Sequence, residues 1–239
     1  MPEHRVALVT GGNKGIGLEI VRQLSQAGVH VIIGARNFER ARAAAEDLSA
    51  QNLSVGTVRI DLDDLTTATN AANEIRSQYG RLDILVNNAG IFDFADAEPS
   101  RASIDAVRRV MEVNFIGALA VTQAMLPLLK KSPAGRIVNI SSSLGSLTLN
   151  GDPDSTYYAQ LFIGYNTSKA ALNMLTIQLH EELSSVGIVV NSVSPGFVKT
   201  DLTGYGDMTP EEGARLPVKH ALAGTDSGCF FEPDGTTPW

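Results

Sequence analysis

An alternation narrows the folds open to this chain more than any other feature. VALVT (6–10), VHVIIGA (29–35), LSVGTVRI (53–60), LDILVNN (82–88), GRIVNIS (135–141) and IVVNSVS (188–194) are short, β-branched runs. Amphipathic stretches at 15–28, 38–51, 64–80, 101–131 and 164–185 separate them. The runs are apolar almost throughout rather than at every second residue, so each is expected to be a strand buried on both faces. Strand–helix alternation requires right-handed crossovers, and the predicted fold is α/β, a doubly wound parallel sheet of Rossmann type with helices on both faces. The 101–131 stretch reads as two helices or one bent helix, with Pro127 near its end. No internal repeat, low-complexity segment or composition break marks a linker, so residues 1–239 read as one domain.

Two regions leave this rhythm. Residues 143–163, rich in Gly, Asp, Pro and Ser, form a long connection. Residues 197–227 carry Gly204, Gly206, Pro210, Gly213 and Pro217 and are expected to be a mobile substrate loop with one short helix. The tail EPDGTTPW is polar, with Trp239 expected to pack back onto the body.

The first strand runs into TGGNKGIG (10–17), and a helix follows. Glycines at 11, 15 and 17 permit a tight turn and close backbone approach, and the helix N-terminus behind them offers free N–H groups to a pyrophosphate. The context is that of a dinucleotide site. At the end of the second strand an acid would hydrogen-bond ribose hydroxyls, whereas a cation would receive a 2′-phosphate. This chain places Arg36 there and Lys14 in the turn, which favours NADPH/NADP over NAD. Asp61 closes the third strand, where it could accept from an adenine amino group or cap the next helix. Asn87, Asn88, Ala89 and Gly90 close the fourth, small enough for a ribose or adenine to lie against the backbone. Asn114, inside an apolar helical pattern, needs a hydrogen-bonding reason to be buried.

Charge and composition exclude other classes. The net charge of −7 argues against a general affinity for nucleic acid. Cys229 is the only cysteine and the four histidines are scattered, so neither a disulfide nor a metal site is expected. No stretch reads as a signal peptide or a membrane span, and a cytoplasmic location is the expectation.

At the carboxyl edge of the sheet, Ser141, Ser142 and Ser143 end the fifth strand, and PGFVKT (195–200) follows the sixth. Between them lies YNTSK, in which Tyr165 and Lys169 stand four residues apart and share one helix face. Together these segments resemble the short-chain dehydrogenase/reductase family in its compact form. TGxxxGxG, NNAG, the helical asparagine, the strand-end serine, YxxxK and PG occur in that family's order between residue 5 and about 200. The resemblance implies a catalytic set of Asn114, Ser142, Tyr165 and Lys169, with Ser142 chosen because it stands three residues before Gly145. It implies cofactor contacts from Gly11, Asn13, Lys14, Gly15, Ile16, Gly17, Arg36, Asp61, Leu62, Asn88, Ala89, Gly90, Tyr165, Lys169, Pro195, Gly196, Val198 and Thr200.

In the implied mechanism Tyr165 is the general acid, and the Lys169 ammonium lowers its pKa by about two to three units. Lys169 also holds the nicotinamide ribose, Ser142 hydrogen-bonds the substrate oxygen, and Asn114 steadies a water leading to solvent. The spacing of Ser142 and Tyr165 and the TPEEGA stretch (209–214) are similar to the carbonyl-reductase-like branch. The expected activity is NADPH-dependent reduction of an aldehyde or ketone. Alternatives are an alcohol dehydrogenase working oxidatively and a cofactor-sensing regulator without turnover. Leu144, Leu147, Tyr158, Phe197, Leu202 and Tyr205 are candidate walls of an apolar substrate pocket. In the same branch a long connection before the tyrosine covers a pairing helix, so a monomer is expected.

Overall fold

The computed structural model describes residues 4–239. Its sheet has eight strands in the order β3-β2-β1-β4-β5-β6-β7-β8. The strands are β1 Val6–Thr10, β2 His30–Ala35, β3 Val55–Arg59, β4 Ile84–Asn87, β5 Arg136–Ile140, β6 Val189–Val193, β7 Cys229–Glu232 and β8 Gly235–Thr236. All pairings are parallel except that of β7 with β8. The order reverses direction between β1 and β4, and the crevice opens at the strand ends there. As the unbroken apolar runs require, β1 and β4 are buried along their whole length.

Helices cover both faces. One apolar cluster packs α3 (Thr66–Tyr79), α5 (Ala118–Leu129) and α7 (Ile163–Leu183) on the sheet through Ile75, Met125 and Leu179. The opposite cluster packs α1 (Gly15–Gln26), α2 (Phe38–Ser49) and α8 (Pro210–Leu222) through Leu24, Leu48 and Val218. The 101–131 stretch is one continuous 26-residue helix: α4 (Ile104–Met111) and α5 join through a π-helical segment, Glu112–Gly117. By length and composition this helix would pass for a membrane span, but its buried residues Val110, Val121, Met125 and Leu128 belong to the domain interior. α6 is a single short helix, Leu147–Gly151.

Two expectations need correction. Of the supposed substrate loop 197–227, Pro210–Leu222 is a regular helix with Gly213, Ala214, Pro217 and Ala221 buried. A reciprocal capping box between Thr209 and Glu212 starts it, and Gly213 lets Val198 lie against its first turn. The irregular part shrinks to the segment before Thr209 and a short link after α8. The tail is not merely polar: β7 extends the parallel sheet and β8 folds back on it. Trp239 does pack inward, stacking on Phe230 at 5.7 Å, while its carbonyl accepts from the backbone and hydroxyl of Thr148.

Candidate active site

The glycine turn is held open from behind. Thr10 Oγ1 accepts the backbone N–H groups of Asn88 and Ala89, both at 3.0 Å, and Asn88 Nδ2 donates to the Thr10 carbonyl at 2.9 Å. Asn88 is thereby a bolt between β1 and β4. A Cβ on Gly17 would strike Gly11 O and sit 2.5 Å from Asn88 Nδ2, so only glycine fits there. Gly11 and Gly15 have φ of +66° and +56°. No side chain caps α1, and its first turn carries no acid, which leaves its N–H groups to an anion. This cradle fits a dinucleotide pyrophosphate. Asn13 and Lys14 border a cavity of about 330 Å³ beside it, together with Arg22 and Arg40. Ile16 packs into the core below, and a Cβ on Gly15 would be 3.9 Å from Thr200, so the 195–200 segment reaches the turn.

The expected phosphate cations are both ion-paired within the chain. Arg36 Nη1 is 3.1 Å from Asp63, and Lys14 Nζ is 2.9 Å from Asp201. Arg40 also lies near Asp201, an arginine that the sequence reading passed over. Asp61 is not a helix cap: Asp64 accepts from the Thr66 N–H and hydroxyl at the start of α3. The Asp61 carboxylate instead accepts from the Asp63 N–H, and Leu62 packs on Gly117 of the π segment. Gly196, at φ +87°, has Met208 against it, and Val198 is buried and bridges to the same methionine. Pro195 lies beside Met208 and Pro233.

At the other end of the crevice, the three strand-end serines separate by partner. Ser141 donates to Asn173 at 2.6 Å, and Ser143 bonds Glu232; both are buried. Ser142 is half-buried and hydrogen-bonds Tyr165. Gly145 lets this turn lie on the backbone of Lys169, where any Cβ would overlap. Lys169, only 6% exposed, donates to the Ile140 carbonyl at 2.9 Å, and its nitrogen lies 5.6 Å from the Tyr165 ring centre. Asn114 sits within the π segment, and both polar atoms of its buried amide are hydrogen-bonded. It accepts from the Ile91 N–H at 2.8 Å and donates to the Ile91 carbonyl and to Ser168, each at 3.0 Å. Gly90 borders both: a Cβ there would lie 3.3 Å from Asn114 Oδ1 and 3.6 Å from Lys169 Nζ.

The expected depression of the tyrosine pKa is not found. Burial pushes Tyr165 up to about 12, opposed in part by the Ser142 hydrogen bond, and pushes Lys169 down to about 8. Loss of water disfavours phenolate and ammonium alike, and Lys169 points its donor at a carbonyl rather than at the phenol. The aromatic surroundings contribute. Phe92 sets its ring edge to Tyr165 at 5.7 Å and also meets Phe94 and Phe162. None of these three phenylalanines was among the expected pocket walls, although two follow the NNAG stretch directly. Phe94 is 89% exposed; Leu147, Tyr158, Phe197 and Tyr205 also present apolar surface.

The chain is similar to known proteins in both sequence and fold. The short chain dehydrogenase family profile matches residues 5–209. Salutaridine reductase of Papaver bracteatum is 33% identical, covering 95% of this chain and 94% of its own. Human carbonyl reductase [NADPH] 1 is 35% identical, covering 93% and 92%. The structure of NADPH-bound carbonyl reductase from chicken fatty liver superposes with a TM-score of 0.85 at 30% identity, over 100% of this chain and 96% of that one.

Proposed function

The chain belongs to the short-chain dehydrogenase family, and from that premise we propose that it is an NADPH-dependent reductase of apolar aldehydes or ketones. The reductase names of its relatives carry the direction, and a protonated Tyr165 fits it. With its pKa pushed up to about 12 the phenol is intact at neutral pH. An alkoxide forming on a reduced carbonyl is a far stronger base than a phenolate, so Tyr165 can surrender its proton to it. The reverse reaction would need the phenolate, which burial disfavours, so any alcohol oxidation should grow as pH rises.

Bound in the crevice, the cofactor supplies the hydride. The Gly11–Gly17 turn, with Asn13 and Ile16, would hold the pyrophosphate, and Asp61 and Leu62 would flank the adenine. Arg36, Lys14 and Arg40 would meet the 2′-phosphate, a reading supported by the NADPH in the names of the carbonyl reductases. Asn88, Ala89, Gly90 and the Pro195–Thr200 segment would line the path to the nicotinamide. Lys169 would hold ribose hydroxyls and pass protons to Tyr165, with Asn114 steadying a water that links Lys169 to solvent. Ser142 would fix the carbonyl oxygen.

The apolar substrate class is supported by Phe92, edge-on to Tyr165, and by exposed Phe94 against it, while Leu147, Tyr158, Phe197 and Tyr205 add exposed apolar surface. A panel of aromatic, alicyclic and sugar-like carbonyl compounds, followed by loss of NADPH absorbance, tests the whole reading. Turnover of the apolar members at neutral pH is expected; turnover only of alcohols with NADP would overturn it. We also infer a monomer, because Asn166 of α7 is hydrogen-bonded to Asn150 and Gln160 of the long connection, which lies over the helix start. A stable dimer in sedimentation would reject this.

A further inference from the structure

Tyr165 is only the third residue of α7, in the turn of a helix that frays most easily. The N-cap residue, Phe162, offers no side-chain acceptor. The first N–H groups of the helix are nevertheless taken, all by one segment distant in sequence. Ile163 donates to the Ala97 carbonyl at 3.1 Å, Gly164 to Asp96 Oδ1 at 2.9 Å, and Tyr165 to Asp96 Oδ2 at 2.7 Å. The carboxylate is 5% exposed and replaces the missing cap. Gly164 makes the approach possible: a Cβ there would be 3.1 Å from Asp96 Oδ2 and 3.1 Å from Val107 Cα. The segment that bears Asp96 is itself anchored, at Ile91 by Asn114 and at Asp93 by Arg109.

We propose that Asp96 is a positioning residue for proton transfer, clamping the backbone of Tyr165 so that its hydroxyl stays on Ser142 and the substrate oxygen. The inference rests on Tyr165 being the acid. Asp96→Asn keeps the shape and one acceptor oxygen but turns its NH₂ group toward a backbone N–H. The hydroxyl then wanders, and kcat should fall roughly ten- to a hundredfold, the scale of small misplacements of reacting groups. KM and the NADPH dissociation constant should change less than about threefold, because neither ligand touches Asp96 in this scheme. The solvent deuterium effect on kcat should rise as proton transfer becomes slower. A loss of folded protein alone would lower activity without altering that isotope effect.

Gly164→Ala, which crowds the clamp from the other side, should reproduce the pattern if Asp96→Asn does not fold. Arg76→Ala alters an exposed side chain of α3 that bonds Asn73, and should leave the isotope effect as in the wild type. Tyr165→Phe in the same assay checks the underlying reading separately: an active Tyr165→Phe removes that reading, whatever Asp96 does. With Tyr165→Phe inactive, the positioning role is overturned in either of two ways. One is an unchanged kcat and isotope effect in both Asp96→Asn and Gly164→Ala; the other is an equal isotope change in Arg76→Ala.

Discussion

The two ends of the crevice place cations in contrasting settings. Beside Tyr165, the Lys169 ammonium is 6% exposed and bonds a backbone carbonyl, with no carboxylate paired to it among the described residues. At the glycine turn, the side chains of Lys14 and Arg36 are 61% and 72% exposed, and each already faces an aspartate. Desolvation governs protonation at the first end, and salt and competing ion pairs govern affinity at the second. Substitutions at the buried end should therefore abolish chemistry, whereas those at the exposed end should grade cofactor preference.

The largest effect is expected at Tyr165. Tyr165→Phe removes the proposed acid and should lower turnover at least about a hundredfold while NADPH still binds, as fluorescence titration would show. The wild-type pH profile sharpens the point. Reduction should stay level across neutral pH, since the phenol keeps its proton well beyond pH 9, and any alcohol oxidation should climb with pH toward about 12. An oxidation rate that peaks at neutral pH would mean that Lys169 and the bound cofactor lower the phenol pKa more than burial raises it.

Next is Arg36→Asp, which sets a negative charge against the 2′-phosphate and offers the ribose hydroxyls an acceptor. The Michaelis constant for NADPH should rise by about tenfold or more, while that for NADH holds or falls. Equal weakening of both cofactors would remove Arg36 as the discriminator.

Lys169 makes a smaller, purely thermodynamic prediction. Its ammonium normally titrates at 10.5 and is held at about 8 in the fold, so between those values the unfolded chain binds a proton that the folded chain does not. Stability should rise with pH across that window, by at most about 1.4 kcal/mol per unit, and lose this contribution as pH falls through 8. Tyr165 acts oppositely above pH 10, where the unfolded phenol ionises first. Urea unfolding at pH 7.5, 8.5 and 9.5 should show the gain in the wild type and not in Lys169→Met.

The sheet and the glycine turn were legible because local chemistry specifies them, whereas the set of Asn114, Ser142, Tyr165 and Lys169 came from the family resemblance. Apolar runs make buried strands, and TGGNKGIG makes a turn whatever the rest of the chain does. Features that depend on distant segments were not. Asp96 meets Tyr165 across 69 residues and Lys14 meets Asp201 across 187, and neither spacing leaves a periodic trace. β7 is four residues between Gly228 and Pro233, too short for alternation to register beside its turn residues. The sign of the Tyr165 shift failed for a related reason. Sequence spacing places an ammonium near a phenol, but only packing tells how much water both have lost.

The smallest predicted effect tests the exposed end from the other side. If Asp63 holds Arg36 in competition with the 2′-phosphate, removing its charge should free the guanidinium for the cofactor. The pair is exposed, and surface ion pairs are weak, so Asp63→Asn should tighten NADPH by only about two- to fivefold. NADH, which has no phosphate at that position, should bind as before. Raising the salt concentration should erase the gain, because the ion pair and the phosphate contact are both screened. Isothermal titration of both cofactors into wild type and Asp63→Asn, at low and high salt, reads each of these affinities. Tightening of NADH as well would mean that Asp63 repels the dinucleotide as a whole, and the picture of one cation shared between an aspartate and a phosphate would fall.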